Sequence, residues 1–590
     1  VPKVTKVLIA NRGEIAVRIA RACADAGLTS VAVYSPEDRD ALHVRMADQA
    51  FALDGESVAE TYLSIEAVLA AATKSGADTV HPGYGFLAES PAFARAVVAA
   101  GLTWVGPTAK ALETLGNKVA ARAVAASVGA PLVAASPPVA AASDVTDFAR
   151  QHGLPLLIKA SHGGGGRGMR VIDSLDGVDE ALAAAKREAK LAFDNGEVFV
   201  EQYVTRPRHI ETQCLADAGG TVAVVSTRDC TVQRRHQKLI EEAPAPGLSP
   251  CQLEQVTGAS RAILQAVGYK GAATCEFLLD SDGSVFFMEV NPRLQVEHPV
   301  TEAVTGVDLV REQFRLAAGE ALGYESVPVT GHAIEFRING EDPANGFLPV
   351  PGTLTDLRLP GGPGVRCDFG YEIGDALTGS YDSLIGKVIV SGASRQQALE
   401  RSRRALREFK ADGVATVRNF HRAVVETADF ADDFSIHTGW LESEFALTLA
   451  ELAPATVNES GLPSPEPTAR MVVQVDGKRL EVILPAALTA AGVGLAGGAA
   501  APRRSARKTA GTKLGRGSDG QVTAPMQGTV IRVAVTEGQA VAEGDVLIVL
   551  EAMKMEQPLA APTAGVVQSL SAQPGARVAA GQVLCVVAPN

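Results

Sequence analysis

Two glutamates stand in the middle of apolar runs, Glu276 in "ATCEFLL" and Glu289 in "VFFMEVN". A carboxylate on a buried strand is expensive to desolvate unless it is paired or binds a metal. Hard oxygen donors of this kind suit Mg2+, which takes one or two carboxylates together with nucleotide phosphates; structural ion pairs would satisfy the same residues. Upstream, "KASHGGGGRGM" (159–169) sets Gly163, Gly164, Gly165 and Gly166 in a row. Successive glycines let a backbone approach phosphate oxygens closely and aim N–H groups at them, although a plain flexible turn has the same composition. The G-x-x-x-x-G-K-[ST] spacing of a Walker loop is absent. "RDCTVQRRHQKLIEEAPAPG" (228–247) concentrates Arg234, Arg235, His236 and Lys238, either a solvated basic face or an anion site. Near the C-terminus, "VLEAMKMEQPL" (549–559) places Lys554 between Met553 and Met555, in a chain with only seven methionines. Such a lysine is either an ordinary turn residue beside two core methionines or a point of attachment.

The elements that must position these groups follow from hydrophobic period. "KVLIA" is a short apolar run, "GEIAVRIARACADAG" has helical spacing closed by Gly27, and "TSVAVYS" reads as the next strand. That βαβ start predicts a doubly wound α/β unit over the first ~110 residues. Its turn "ANRGE" lacks the G-x-G-x-x-G fingerprint, so no dinucleotide site is expected. "PLLIKASHGGGGRGMRVI" reads as strand, glycine loop, strand. Residues 206–350 are β-rich, with charged residues at strand-like spacing, and "SRQQALERSRRALREF" is an amphipathic helix.

Between about 450 and 520 the character changes. "RMVVQVDGKRLEVILP" predicts a hairpin turning at Asp476-Gly477. The Ala/Gly-rich basic stretch after it has no apolar period and reads as a flexible linker. The last 70 residues repeat at an offset of 37: Pro525 matches Pro562, Gly528 Gly565, Gly538 Gly575, Val541 Val578, Gly544 Gly581, Leu547 Leu584 and Val549 Val586. Each half alternates short strands with Gly turns, which predicts a small two-fold β-sandwich with "EAMKMEQ" joining the halves and Lys554 on an exposed turn.

A chain of 590 residues is too long for one core and is expected to hold three or four domains. Its net charge of −13 argues against a nucleic-acid role. The seven cysteines form no CxxC pair, which favours reduced thiols over disulfides or zinc. No apolar signal core and no run of membrane-spanning length is present, so a cytoplasmic enzyme without a membrane partner is expected.

"APMQGTV", "EGQAV" and "LEAMKM" resemble a biotin carboxyl carrier domain, with biotin covalently bound to Lys554; related lipoyl domains usually lack the methionine-lysine-methionine triplet. The 450 residues before it resemble biotin carboxylase, of the ATP-grasp group, over nearly their whole length. The resemblance implies α/β and α+β architecture: a biotin carboxylase N-terminal domain (1–113), an ATP-grasp domain (114–330), a mixed biotin carboxylase C-terminal domain (331–446), a short β-containing connecting segment (447–486), the linker (487–520) and an all-β biotinyl/lipoyl-type sandwich (521–590). It implies ATP phosphates held by Lys118, Lys159 and the glycine lid up to Met169. The nucleoside would lie near Glu201, Val204, His209 and Gln233, with Tyr84 of "HPGYGFLAE" lining the nucleotide side, and Mg2+ (or Mn2+) at Glu276, Glu289 and Asn291. It places His236 and Lys238 at the reaction centre, where two anions require cations. Bicarbonate would meet Lys238, Arg293, Gln295 and Val296; Glu297 would be the general base, and Arg337 would stabilise the biotin enolate.

The implied reaction is ATP-dependent carboxylation of biotin through carboxyphosphate. No carboxyltransferase is recognisable in the chain, so the carboxylated biotin must go to another polypeptide. The arrangement resembles the α subunit of actinobacterial-type acetyl-/propionyl-CoA carboxylases, which implies a carboxyltransferase β subunit and a biotin protein ligase as partners and homodimeric carboxylase units within an α–β assembly. Larger relatives carry a full β-barrel where residues 450–520 stand, which leaves the hairpin at 471–485 as the candidate β contact. Two alternatives remain: an α chain for another acceptor, such as methylcrotonyl-CoA or urea, and a carrier scaffold, lipoylated or unmodified, with a degenerate ATP site.

Overall fold

The computed structural model describes residues 4–161, 169–193, 195–445, 468–475, 478–485, 520–525, 528–552, 555–579 and 581–588. The chain divides into two compact units, residues 1–452 and 453–590.

The first unit opens as its hydrophobic pattern predicts. The strand Lys6–Ile9 feeds the helix Gly13–Asp25, whose chain turns back at Gly27 with φ +68° into the strand Thr29–Tyr34. Five parallel strands lie in the order third, second, first, fourth, fifth along the chain. Apolar clusters cover both faces of this sheet, as an all-parallel sheet requires. The turn before the helix is closed by the chain itself. A Cβ added to Gly370 would sit 2.7 Å from the Gly13 carbonyl carbon and closer still to the Glu14 nitrogen, so only glycine admits this approach of a later strand. Arg12 in the same turn donates to Asp38 at 2.6 and 2.7 Å and stacks on Tyr381.

Next come three antiparallel strands, Arg170–Ile172, Leu156–Ala160 and Val198–Gln202, in that spatial order. The helices Ala142–His152 and Val178–Phe193 pack against them over one apolar cluster. The glycine run at 163–166 lies outside the described residues.

The centre of the unit is an antiparallel sheet of eight strands. From one edge they run Val285–Asn291, Gly271–Leu279, Arg208–Ala216, Val222–Arg234, Gln237–Ala243, His332–Asn339, Leu384–Gly392 and Val365–Phe369. Gln237–Ala243 pairs with His332–Asn339, so the sheet runs unbroken across the boundary expected at 330/331. The helix Arg395–Glu408 is capped by the Ser394 side chain, which accepts from Gln397 N–H. Its apolar face, including Leu399 and Leu406, joins the core of the C-terminal third.

In the second unit the strands Thr468–Val475 and Lys478–Pro485 pair antiparallel with Val475 opposite Lys478; the Asp476-Gly477 turn expected between them lies outside the described residues. The last seventy residues form two four-stranded sheets. One holds Gln521–Thr523, Val583–Ala588, Gly565–Gln568 and Ala540–Val541, in spatial order. The other holds Met555–Ala560, Val546–Ala552, Gly528–Val533 and Arg577–Val578. Every strand of one sheet has its counterpart in the other at the sequence offset of 37, and the registers repeat as well: Val549 faces Pro558 and Val586 faces Gln521. Val530, Leu547, Leu550, Val567, Leu584 and Val587 fill the space between the sheets. All seven cysteines are unpaired, and no helix among the described residues is long and apolar enough to cross a membrane.

Candidate active site

Four adjacent strands of the eight-stranded sheet carry one row of charged residues. Glu276 is paired in register with Glu289 on one side and with Glu211 on the other, and Glu211 with Arg228 beyond it. Like charges directly opposite one another in a sheet repel, so three glutamates in a row demand cations. Lys238 supplies the main one, reaching in from the strand Gln237–Ala243. Its ammonium donates to Glu211 Oε2 at 2.6 Å, Glu297 Oε1 at 2.7 Å and Glu276 Oε1 at 3.0 Å. Arg228, fully buried, donates to Glu211, to Gln213 at 2.7 Å and to Thr274 and Thr301 at 3.0 Å each. Asn291 Nδ2 donates to Glu276 Oε1 at 2.8 Å, and His209 Nε2 lies 3.0 Å from Glu276 Oε2 without hydrogen-bond geometry.

Glu297 follows the strand Val285–Asn291 and stands at the N-cap position of the helix His298–Thr305 without a side-chain capping bond. It is 0% exposed, held by Lys238 through one oxygen and by Arg337 through the other at 2.9 Å. Burial alone would raise its pKa, but Lys238, Arg337 and Arg228 outweigh burial and hold the carboxyl well below the ordinary range. Burial is likewise overcome at Glu276 by Lys238 and His209, which lower it. Lys238 is the mirror case: burial opposes its charge, yet Glu211, Glu276 and Glu297 raise its pKa well above the usual value.

Arg337 also donates to Glu241 Oε1 at 2.5 Å. Glu241 stands opposite Glu335 in the ladder, and neither Glu335 oxygen has a hydrogen-bond partner. Burial pushes Glu241 up to about 7, against the pull of Arg337, and pushes Glu335 well above the carboxylate range.

The remaining predicted residues fall into three places. Lys118 starts the helix Lys118–Ser127, and its backbone N–H binds Ser161 O at the end of the strand before the glycine run. Its ammonium lies 3.7 Å from Glu289; burial lowers its pKa, with Lys159 adding repulsion against the pull of Glu289. Lys159 donates to Glu201 at 2.8 Å, and both are buried. Val204, just after the strand Val198–Gln202, and Gln233, on the strand Val222–Arg234, are buried, whereas Met169 is half-buried. Arg293 Nε donates to Glu89 Oε1 at 2.5 Å, while its Nη1 donates to Gln295 Oε1 at 2.9 Å. The Val296 carbonyl accepts from Lys387 at 2.8 Å. Tyr84 donates to Glu14, next to Lys387.

His236 sits on a two-residue turn between Val222–Arg234 and Gln237–Ala243. Arg235 has φ +46° and His236 φ +66°. Positive φ at both central residues is the requirement of a type I′ hairpin turn, normally met by Asn or Gly. For residues with a Cβ each such conformation costs of order 1–3 kcal/mol and is kept only where surroundings enforce it.

Glu211, Arg228, Glu241, Glu335 and Lys387 were not among the residues singled out from sequence. Their only signal was alternation on strands, with Glu335 and Arg337 two apart on one face and Glu211 and Gln213 likewise.

The chain matches family models for the biotin carboxylase N-terminal domain at residues 3–112, the carbamoyl-phosphate synthase L chain ATP-binding domain at 117–325, the biotin carboxylase C-terminal domain at 335–443, and a biotin-requiring enzyme domain at 520–587. It is 50% identical to the biotin-dependent acyl-coenzyme A carboxylase alpha3 subunit of Mycobacterium leprae, over 99% of this chain and 98% of that one. The chain belongs to the family of biotin-dependent acyl-CoA carboxylase α subunits. Within this family it is an ATP-dependent biotin carboxylase joined to a biotin carrier domain. The carboxylase part is 46% identical to the biotin carboxylase of Haemophilus influenzae, over 72% of this chain and 95% of that one. It also matches the biotin carboxylase structure from Campylobacter jejuni with a TM-score of 0.73 at 38% identity, covering 75% of this chain and 99% of that one. The biotin carboxylase domain dimer of Hydrogenobacter thermophilus 2-oxoglutarate carboxylase, solved with Mg-ADP and bicarbonate, matches with a TM-score of 0.72 at 41% identity, over 74% and 97% of the two chains.

Two of the cofactors of this family, ATP and Mg2+, meet suitable groups here. Glu276, Glu289 and Asn291 present an oxygen donor set on two paired strands, where a divalent cation would add to the neutralisation that Lys238 and Lys118 give the facing glutamates. Lys118 and Lys159, both buried, offer cations for phosphates. Lys554 and Met553 lie outside the described residues; the flanking strands pair with Ala552 opposite Met555.

Replacing Lys238 by Met leaves Glu211, Glu276 and Glu297 facing an apolar group. Depressed carboxyl pKa values give the native protein stability that is present above about pH 4.5 and is lost as pH falls through the lower folded values. Lys238→Met is therefore expected to destabilise the protein by about 3–5 kcal/mol at pH 8, with a smaller deficit at pH 5, where the freed carboxylates take up protons. Thermal denaturation of both forms at the two pH values measures this.

Proposed function

We propose that the chain carboxylates its own biotin on Lys554, using ATP and bicarbonate, and hands the carboxyl group to a separate carboxyltransferase β subunit acting on acetyl-CoA or propionyl-CoA. The observation that carries this reading is Glu297, buried and ionised between Lys238 and Arg337 at 2.7 and 2.9 Å. A carboxylate held between two cations is a weak base at rest. An incoming bicarbonate competes for the same cations, drawing Lys238 and Arg337 partly away from Glu297 and raising its proton affinity where the proton is to be removed. Arg293, with Gln295 and Val296, would orient bicarbonate. Arg337 keeps its charge at every working pH and so suits a developing oxyanion. His236 and Lys238 would balance the charge of two anions at close quarters.

Lys118, Lys159 and Gly163–Gly166 with Met169 would hold the phosphates, Glu201, Val204, His209 and Gln233 the nucleoside, and Glu276, Glu289 and Asn291 the metal. The domain limits read from the sequence, the homodimeric carboxylase unit, loading by a biotin protein ligase and a cytoplasmic location belong to the same proposal. The Mycobacterium leprae relative, matched over nearly its full length, supports an acyl-CoA acceptor over urea, and every matched position carries the expected residue type, which weighs against a degenerate carrier scaffold.

Glu297→Gln is expected to lower bicarbonate-dependent ATP cleavage by about 10²–10⁴-fold with the fold intact by circular dichroism; activity near that of the native protein would remove Glu297 as the base. After co-expression with an active biotin ligase, peptide mass mapping should find the biotinyl group on Lys554 and nowhere else. Deleting 468–485, the paired strands, is expected to abolish co-purification with the β subunit while leaving ATP cleavage unchanged; persistent β binding would dismiss this contact.

A further inference from the structure

The turn that carries His236 has no residue suited to its backbone. Arg235 and His236 both take positive φ, at +46° and +66°, and neither is Gly or Asn. The strand that follows brings Lys238 into the row of glutamates, two residues after His236. A turn in this conformation relaxes unless something outside it holds the backbone.

The last helical turn of the first unit, Trp440–Ser443, lies against this hairpin. Glu442 Oε1 accepts the backbone N–H of Arg235 at 2.8 Å. The short helix is itself well anchored: Trp440 and Leu441 are buried in the core of the C-terminal third, and Trp440 Nε1 donates to Asp429 at 2.9 Å. The same segment also holds the chain beside the predicted nucleoside residues. Thr438 N–H binds Pro207 O at 2.9 Å, and Glu444 accepts from Arg206 at 2.6 Å and lies 3.1 Å from His437 Nε2. Residues 438–444 thus strap together two loops, 206–207 and 235–236, that flank predicted site residues on either side.

We propose that Glu442 is a positioning residue: by accepting the Arg235 backbone N–H from a helix rooted in the core, it holds the left-handed Arg235–His236 turn, and with it His236 and Lys238, in the geometry the site requires. The catalytic consequence rests on the function proposed above; the conformational one does not.

The test uses the full-length chain with Glu442→Ala, Glu442→Gln, Arg235→Gly and the double variant Glu442→Ala/Arg235→Gly. A carboxamide oxygen can still accept the N–H, and glycine adopts positive φ without strain. Glu442→Ala is expected to lower kcat/KM for ATP in bicarbonate-dependent cleavage by about tenfold, with Tm shifted by no more than about 2 °C. Glu442→Gln should stay within about twofold of the native chain. The double variant should recover the activity of Arg235→Gly alone, because a turn that no longer needs holding no longer needs Glu442. Amide hydrogen exchange over 233–238 should rise in Glu442→Ala and fall back in the double variant, a readout independent of turnover. Native activity and native exchange in Glu442→Ala would overturn the proposal, as would a loss that glycine at 235 fails to restore. Should the native chain itself lack bicarbonate-dependent ATP cleavage, the proposed function fails, and the exchange experiment alone decides for or against the strap.

Discussion

Three glutamates stand side by side on adjacent strands, Glu289, Glu276 and Glu211, with Arg228 completing the row. No sheet tolerates that arrangement on packing grounds, and much of the site can be understood as what keeps it neutral. Lys238 binds two of the three and adds Glu297 from outside the row; Lys118 approaches the third. Removing carboxylates from water is repaid only if each finds a cation or a proton, and the protein uses both solutions. Glu276 and Glu297 are kept charged by cations, whereas Glu241 and Glu335, opposite one another beneath Arg337, are pushed toward the neutral form. The site therefore holds its positive charge in ion pairs with its own carboxylates, which is the state in which an anionic substrate can be traded for a protein carboxylate.

What makes this neutralisation possible is the continuity of the eight-stranded sheet. Lys238 and Arg337 arrive from neighbouring strands separated by some hundred residues of sequence, and Glu297 enters from the loop after the edge strand. Side chains on a pleated surface have a fixed direction and spacing, so the distances around Glu297 depend on register rather than on mobile loops. The first domain contributes by being closed: its helix N-terminus, which in doubly wound folds commonly faces a ligand, is met here by the backbone at Gly370.

Local pattern made much of this legible. The opening βαβ unit, the helix Arg395–Glu408 and the strands bearing Glu276 and Glu289 are all implied by period and by lone charges in apolar text. The repeat in the carrier domain was visible as seven coincidences at one offset, and the structure turns it into two equivalent sheets. The partners of the site residues were not legible. Glu211 and Glu241 meet Glu276 and Glu335 through pairing between distant segments, and a two-residue alternation tells which face a residue takes, as it does for Arg228, without telling what stands opposite. Glu442 gives even less warning, since its role depends on a turn two hundred residues earlier adopting a conformation that its own sequence disfavours.

The matching registers of the carrier domain have a geometric corollary. The pairing of Val549 with Pro558 leads to the corner where Ala552 meets Met555, and its counterpart, Val586 with Gln521, leads to the corner where the domain's first and last strands come together. A duplicated fold offers two equivalent corners, and this one assigns them different trades. One joins the strands at which the domain begins and ends; the other, where Ala552 stands opposite Met555, belongs to the second sheet and so lies away from both ends of the domain.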